Sequence, residues 1–208
     1  MKLKITTNVS VDGVMQGLGG HDEDLRGGFE RGGWVTPLVD TEAGDHINEV
    51  YSAATAFLFG RRTYEIFARS WGKIAKMRTH PIGVALNSWP KYVVSTSITN
   101  PQWADTTVLT GDIAAAIRDL KAKQDGELLV PGSGVLVRWL LANGLVDQLD
   151  LLIYPLIVGQ GTRLFADSGP DVALDLVTSR TTARGITIQT YRTAGRPEYA
   201  RSTAGSDA

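Results

Sequence analysis

The stretch that most limits how this chain can fold is Glu127 to Phe165, ELLVPGSGVLVRWLLANGLVDQLDLLIYPLIVGQGTRLF, which joins a strand, a glycine turn, a helix and a second strand without a break. Leu128, Leu129 and Val130 form a short apolar run stopped by Pro131, the pattern of a buried strand. Gly132, Ser133 and Gly134 turn the chain, Val135, Leu136, Trp139 and Leu140 then follow at helical spacing, and Gly144 is placed to end the helix. Such a turn leaves unpaired backbone N–H groups at a helix N-terminus, and the bare Gly132 and Gly134 let an anion approach them. Taken alone, the turn is equally well a piece of architecture, because strand–glycine–helix corners recur throughout α/β proteins.

Two further strand ends repeat the arrangement. Ala56 to Phe59 is short and apolar, and Gly60-Arg61-Arg62-Thr63-Tyr64-Glu65 opens a helix running to about Trp71. Two arginines at a helix start oppose the helix dipole, so either a bound anion or nearby carboxylates must compensate them. Pro90 to Val94 predicts a third strand, ending in Ser95-Thr96-Ser97, whose hydroxyls serve either a ligand or a simple turn. Ligands of open α/β sheets bind beyond the carboxyl ends of strands, where all three motifs fall. Backbone N–H groups suit a pyrophosphate, and guanidinium and hydroxyl groups suit a phosphate monoester such as the one that distinguishes NADP from NAD. The combination points to NADPH, without the usual Rossmann signature.

Elsewhere the pattern predicts a first strand over Leu3 to Val11 and then a long loop from Gly13 to Pro37 with eight glycines, read as a lid or binding loop. Trp34 at its end needs a surface to pack on. A helix is expected over Asp40 to Ala54, capped by Asp40 or Thr41, with a short helix over Ile82 to Ser88. A short strand at Thr107 to Leu109 and a helix over Asp112 to Lys123 follow. A strand over Gln148 to Val158 then precedes an antiparallel pair, Val172 to Arg180 and Ile186 to Thr193. The expected organisation is one domain over 1–194 and a frayed tail over 195–208.

Composition excludes several functions. With a formal net charge of −1 and no basic block, the chain is not an electrostatic nucleic-acid binder, which leaves a small molecule as its expected partner. Cysteine is absent, so disulfides and thiolate chemistry are ruled out. His21, His46 and His80 are scattered, and no metal site is expected. The N-terminus lacks the apolar core of a signal peptide and no window is apolar enough to span a membrane, so a soluble, cytoplasmic protein is expected.

The ordered set Ser10-Val11-Asp12-Gly13, Gly60-Arg61-Arg62-Thr63-Tyr64-Glu65, Val94-Ser95-Thr96, Pro131-Gly132-Ser133-Gly134 and Leu145-Val146-Asp147-Gln148-Leu149 through Pro155 to Gly159-Gln160-Gly161 resembles the dihydrofolate reductase-like superfamily. Within it, the chain is similar to the reductase domain of the bifunctional riboflavin-biosynthesis deaminase/reductase and its stand-alone relatives. The resemblance implies a three-layer α/β fold: a central mixed, mostly parallel sheet flanked by helices, with an antiparallel C-terminal strand pair. It also implies a homodimer, and NADPH lying along the strand ends. Gly60 would be among the cofactor-binding residues; Arg61, Arg62, Ser95 and Thr96 would hold the 2′-phosphate, Thr63 and the turn Gly132, Ser133, Gly134 and Val135 the pyrophosphate, and Val9 and Trp34 would lie near the nicotinamide.

Hydride transfer also needs a proton, and in dihydrofolate reductase a carboxylate on the helix before the Gly-Arg-Thr motif provides it. By spacing from Gly60 the corresponding group here is Asp45, which is equally readable as a solvated helix residue. Val130 stands where the riboflavin-pathway reductases carry a glutamate, and no deaminase motif is present, which weighs against their pyrimidine substrate. The expected activity is an NADPH-dependent reduction of a small heterocyclic or carbonyl compound. A non-catalytic NADP(H)-binding sensor and a pyrimidine reductase of riboflavin biosynthesis are the alternatives.

Overall fold

The computed structural model describes residues 1–123 and 125–200. Its strands are β1 (Lys2–Ser10), β2 (Ala56–Gly60), β3 (Lys91–Val94), β4 (Thr106–Leu109), β5 (Glu127–Pro131), β6 (Gln148–Tyr154), β7 (Leu174–Thr181) and β8 (Thr187–Thr193). Its helices are α1 (Thr41–Ala53), α2 (Arg61–Ser70), α3 (Ala75–Arg78), α4 (Pro81–Ser88), α5 (Ile113–Lys123) and α6 (Gly134–Ala142). The strands form one sheet in the order β4-β3-β2-β5-β1-β6-β8-β7. Every pair from β4 to β6 is parallel, and β8 runs antiparallel to both β6 and β7. This is the mostly parallel sheet with an antiparallel C-terminal pair that the motifs imply.

β2 is buried on both faces, which is why it reads as an unbroken apolar run rather than an alternating one. Leu3, Ile5 and Val9 of β1 and Leu128 and Val130 of β5 face Ile117 of α5 and Val137 and Leu140 of α6. On the opposite face Phe57, Phe59 and Leu129 pack against Val50 and Tyr51 of α1, Tyr64 of α2 and Leu86 of α4. The sheet is thus the middle of three layers, and the period of two along β1 sends Lys4, Thr6 and Asn8 toward α1.

Chain order explains where a cleft opens. From β1 the chain skips a place to β2, proceeds outward through β3 and β4, returns to fill the gap with β5, and then crosses β1 to β6. Strands on either side of β5 and β1 therefore lead away in opposite directions, the arrangement that leaves a crevice at their carboxyl ends.

Two local features, in β6 and α3, differ from the sequence expectations, while the packing of the glycine-rich segment agrees with them. Strand β6 stops at Tyr154 instead of reaching Val158, because Pro155 has no N–H for the ladder. Helix α3 is a single turn of four residues, too short to produce a periodic pattern. The glycine-rich segment is packed, with Val14 and Phe29 buried and Trp34 set edge-to-face on Tyr154 at 5.8 Å. The tail expected to fray over 195–208 falls in part on 201–208, which lie outside the described residues. Among the described residues, no helix is long and apolar enough to cross a membrane, and no cluster of side chains could hold a metal ion.

Candidate active-site cleft

A cavity of about 900 Å³ follows the carboxyl ends of β1, β2, β3 and β5, and the first two glycine motifs meet in it. Gly60, Arg61, Arg62 and Thr63 line it together with Gly132, Ser133, Gly134 and Val135. A hydrogen bond ties the two turns together: the Gly60 N–H donates to Ser133 Oγ at 3.1 Å. Ser133 holds that hydroxyl in place from a left-handed conformation, with φ 61°, directly after Gly132 at φ 57°. A Cβ on Gly134 would lie 2.7 Å from Met15 Sδ, so a side chain there would displace the end of the Met15 side chain. The space is occupied by the Met15 side chain, and because the Gly132 N–H already donates to the Thr6 carbonyl at 2.9 Å, the N–H groups left to an anion are those of Ser133 and the first helical residues.

Helix capping separates these two helices from α1, α4 and α5; the single turn α3 also lacks a side-chain cap but lies away from the cleft. The start of α1 is capped by Asp40 Oδ1, which accepts from the Ala43 N–H at 2.9 Å, and the start of α5 by Asp112 Oδ1, which accepts from Ala115 at 2.9 Å. His80 Nδ1 accepts from Ile82 at the start of α4. Neither α2 nor α6 has a side-chain cap, and both open into the cleft. Their N–H groups and the positive ends of their dipoles are available to an anion.

The two arginines are not equivalent. Arg61 Nη1 is 3.0 Å from Glu65 Oε1, one helical turn on, so part of its charge is answered within α2. Arg62 makes no such pair within α2, and its charge helps to depress the pKa of Asp24 across the cleft. The third hydroxyl motif stays out of the cavity: Ser95 Oγ accepts from the N–H groups of Ser97 and Ile98, closing its own turn, and Thr96 is exposed. Of that motif only the preceding Val94 lines the cleft.

The glycine-rich segment forms one wall with Met15, Gln16, Gly17, Leu18, Glu23 and Asp24. Gln16 anchors it. Its Nε2 donates to the carbonyls of Asp24 and Arg26, and its Oε1 accepts from the N–H and hydroxyl of Thr162. Trp34 lies behind this wall rather than in the cavity, and its Nε1 donates to the Gln16 carbonyl at 2.8 Å. Val9 is likewise outside the cavity, in the core beneath α6, whereas its neighbour Asn8 faces the cleft. Val130 is fully buried.

Asp45 is exposed on α1, and the residues that helix turns to the cleft are Ile47 and Tyr51. Three other carboxyl groups line the cavity: Glu23, Asp24 and Asp112. Asp24 is paired with Arg26; burial acts to raise its pKa, but that pair and the field of Arg62 hold it below the usual range. Asp112 caps α5. Glu23 accepts only main-chain bonds, with Gly19 N–H at 2.7 Å from Oε2. Burial pushes its pKa up, and the neighbouring Asp24 charge adds to the rise against the pull of the Gly19 and Gly20 N–H groups. Nothing in the local spacing around Glu23, Asn8 or Tyr51 marks them as cleft residues; the loop path and the strand parity bring them there.

Relatives agree with this architecture. A protein of Bacillus subtilis (strain 168), YyaP, is 23% identical over 192 residues, 90% of this chain and 92% of the relative. Among solved structures, a protein of Shewanella sp. PV-4 assigned to riboflavin biosynthesis is similar with a TM-score of 0.69 and 22% identity, over 93% of this chain and 99% of that one. A pyrimidine reductase-like protein of Corynebacterium diphtheriae gives 0.62 and 16%, over 93% and 92%. The dihydrofolate reductase of Enterococcus faecalis, solved as a complex with NADP(H), gives 0.59 and 14%, over 92% and 96%. At these identities the structures establish a shared fold, the dihydrofolate reductase-like one. The model of the RibD C-terminal domain matches residues 1–188, and the chain belongs to that family.

Proposed function

We propose that this chain is a reductase that uses NADPH to reduce a small heterocyclic or carbonyl compound. The observation that carries the reading is the pair of uncapped helix N-termini, α2 and α6, side by side on one cleft and joined through the Gly60–Ser133 hydrogen bond, with Arg62 beside them. The family and the fold neighbours support a reductase. A cavity of about 900 Å³ is near the upper end of the roughly 300–1,000 Å³ common for small-molecule sites, so a dinucleotide and a small acceptor fit together.

Gly132 to Val135 and Thr63 would hold the pyrophosphate, and Arg62, with Arg61 secondary to it, the 2′-phosphate. When bound, the nicotinamide supplies the hydride. Glu23 holds the accompanying proton: it is the carboxyl in the cleft that neither pairs with a cation nor caps a helix, and its raised pKa keeps it protonated closer to neutral pH. The Gln16 and Trp34 contacts keep the Glu23-bearing wall in place.

Titration with NADPH and NADH, followed by nicotinamide fluorescence and thermal shift, tests the reading. A ligand specific to the folded state adds about 2.7 kcal/mol of stability at a hundredfold excess over its dissociation constant. NADPH is expected to bind well and NADH poorly. Binding of neither returns the two glycine turns to the role of plain corners.

A further inference from the structure

Helix α2 separates the cleft from a second cavity. At about 3.6 residues per turn, Arg62, Thr63, Ile66 and Phe67 fall on one face of the helix and line the cleft, and Tyr64, Glu65, Ala68 and Arg69 fall on the other. That second face borders an open cavity of about 580 Å³, closed by the 72–78 segment and the 98–104 loop. Small-molecule sites commonly occupy roughly 300–1,000 Å³.

The charge around this cavity departs from that of the chain. The whole sequence carries a formal net charge of −1, yet Arg69, Lys73 and Arg78 all line the cavity, and Glu65 is the one carboxylate among its described lining residues. Glu65 is already engaged by a cleft residue, Arg61, at 3.0 Å. Among the described residues the three cations have no carboxylate partner. Arg69 Nε donates to the Glu65 carbonyl and Arg78 Nη1 to the Gly72 carbonyl, which leaves each guanidinium with further donors. Three like charges around one concavity focus a positive field into it.

The inner wall is held by buried hydrogen bonds. Tyr64 and Trp103 both line the cavity and are only 4% and 6% exposed. Tyr64 Oη accepts from the Trp103 N–H, Trp103 Nε1 donates to Asn87 Oδ1, and Asn87 Nδ2 donates to the carbonyls of Trp71 and Gly83. Each N–H in that chain is used, whereas the Tyr64 O–H proton meets no acceptor among the described residues. A buried hydroxyl with a spare donor suits an anionic oxygen. Lys91, fully buried, adds a fourth cation against this wall, with its Nζ 5.2 Å from the Trp103 ring centroid.

We propose that this cavity is a second ligand site, for a small anion of two or more charges held by Arg69, Lys73 and Arg78, with the Tyr64 hydroxyl donating from the inner wall. Guanidinium groups pair with phosphoryl or carboxylate oxygens two at a time, and the lysine adds a point charge. The site lies across α2 from the cleft and does not depend on the cofactor reading.

The test titrates pyrophosphate and, separately, citrate into protein saturated with NADPH, by isothermal calorimetry at near-physiological salt, which screens scattered surface charges. Filling the cleft first confines the anion to other sites. Wild-type protein is expected to bind one anion per chain, and the tighter of the two probes identifies the head group as phosphoryl or carboxylate. Arg69→Gln combined with Arg78→Gln should weaken that binding at least tenfold, and Tyr64→Phe several-fold. Both arginines are exposed, so the double variant keeps its fold, which its melting temperature checks. If neither anion binds saturably, or if the double variant binds as the wild type does, the second site is overturned. If NADPH itself fails to bind, the reductase reading falls, and the comparison of wild type with double variant on the free protein still decides the second site.

Discussion

Helices α2 and α6 begin differently from α1 and α5, although α5 also borders the cleft. At α1 and α5 an aspartate folds back onto the first turn and accepts from one of its free N–H groups. At α2 and α6 the capping positions are Gly60 and Ser133, and the one hydroxyl available, that of Ser133, accepts from Gly60 instead of from its own helix. A helix start normally gains about 1 kcal/mol from a cap, so two open starts side by side mark where the fold leaves its donors to a ligand. The same contrast separates two carboxyl groups. Glu23, in the cleft, is raised by burial. Asp12, at the corner after β1, is lowered to about 2 by the Ser10 hydroxyl, which outweighs burial, and by the Val158 and Gly159 N–H groups.

Removing the acid from the open side should have the largest effect. Glu23→Gln is expected to lower kcat about a hundredfold, the lower range for a general acid, with NADPH affinity little changed. Because the pKa is raised, activity in the wild type is held at low pH and lost as pH rises through the Glu23 value; the pH profile of the glutamine variant should lack that limb. Converting an open start into a closed one comes next. Ser133→Asp tolerates the left-handed backbone and places a carboxylate at the α6 start, so NADPH affinity should drop at least tenfold, about 1.4 kcal/mol, while the melting temperature holds or rises.

The arginines sharpen the comparison. Arg62→Ala should reduce the preference for NADPH over NADH about tenfold, and Arg61→Ala only two- to threefold, since Glu65 already engages Arg61; equal losses would contradict the distinction drawn between them. On the closed side the effects fall on stability. The low pKa of Asp12 stabilises the folded state above pH ~3.9, the value expected for the unfolded chain, and that contribution disappears as pH falls toward about 2. Acid titration of Asp12→Asn by circular dichroism should show a flatter decline over this window. The smallest change is expected from Asp40→Ala, a melting temperature lower by a few degrees with cofactor affinity intact.

Local patterns carried much of this architecture. The 127–142 stretch reads as strand, turn and helix because its apolar spacing, Pro131 and the glycines each act over a few residues, and the structure has β5 and α6 there. Asp40 and Gly60 likewise declare helix starts from their immediate neighbours. What the spacing did not resolve was orientation. One residue separates Val9 from Asn8, but in a strand that reverses the face, so Val9 enters the core and Asn8 the cleft. Asp45 precedes Ile47 by two residues, about 200° around a helix, which carries it to solvent. Ser95 is a strand-end hydroxyl as expected, yet its own turn supplies the nearest N–H groups and binds it first.

The sequence by itself thus determined the order of the elements, the three glycine- and hydroxyl-bearing strand ends and the family resemblance, all of which depend on short-range periodicity and turn chemistry. Only the tertiary structure decided which groups meet. Gly60 reaches Ser133 across 73 positions of sequence, and Gln16 reaches Thr162 across 146. Contacts of that separation are set by strand order and loop path, and burial then shifts the Glu23 pKa upward and leaves Asn8 unpaired. Desolvation is a property of the assembled environment, and no residue spacing encodes it.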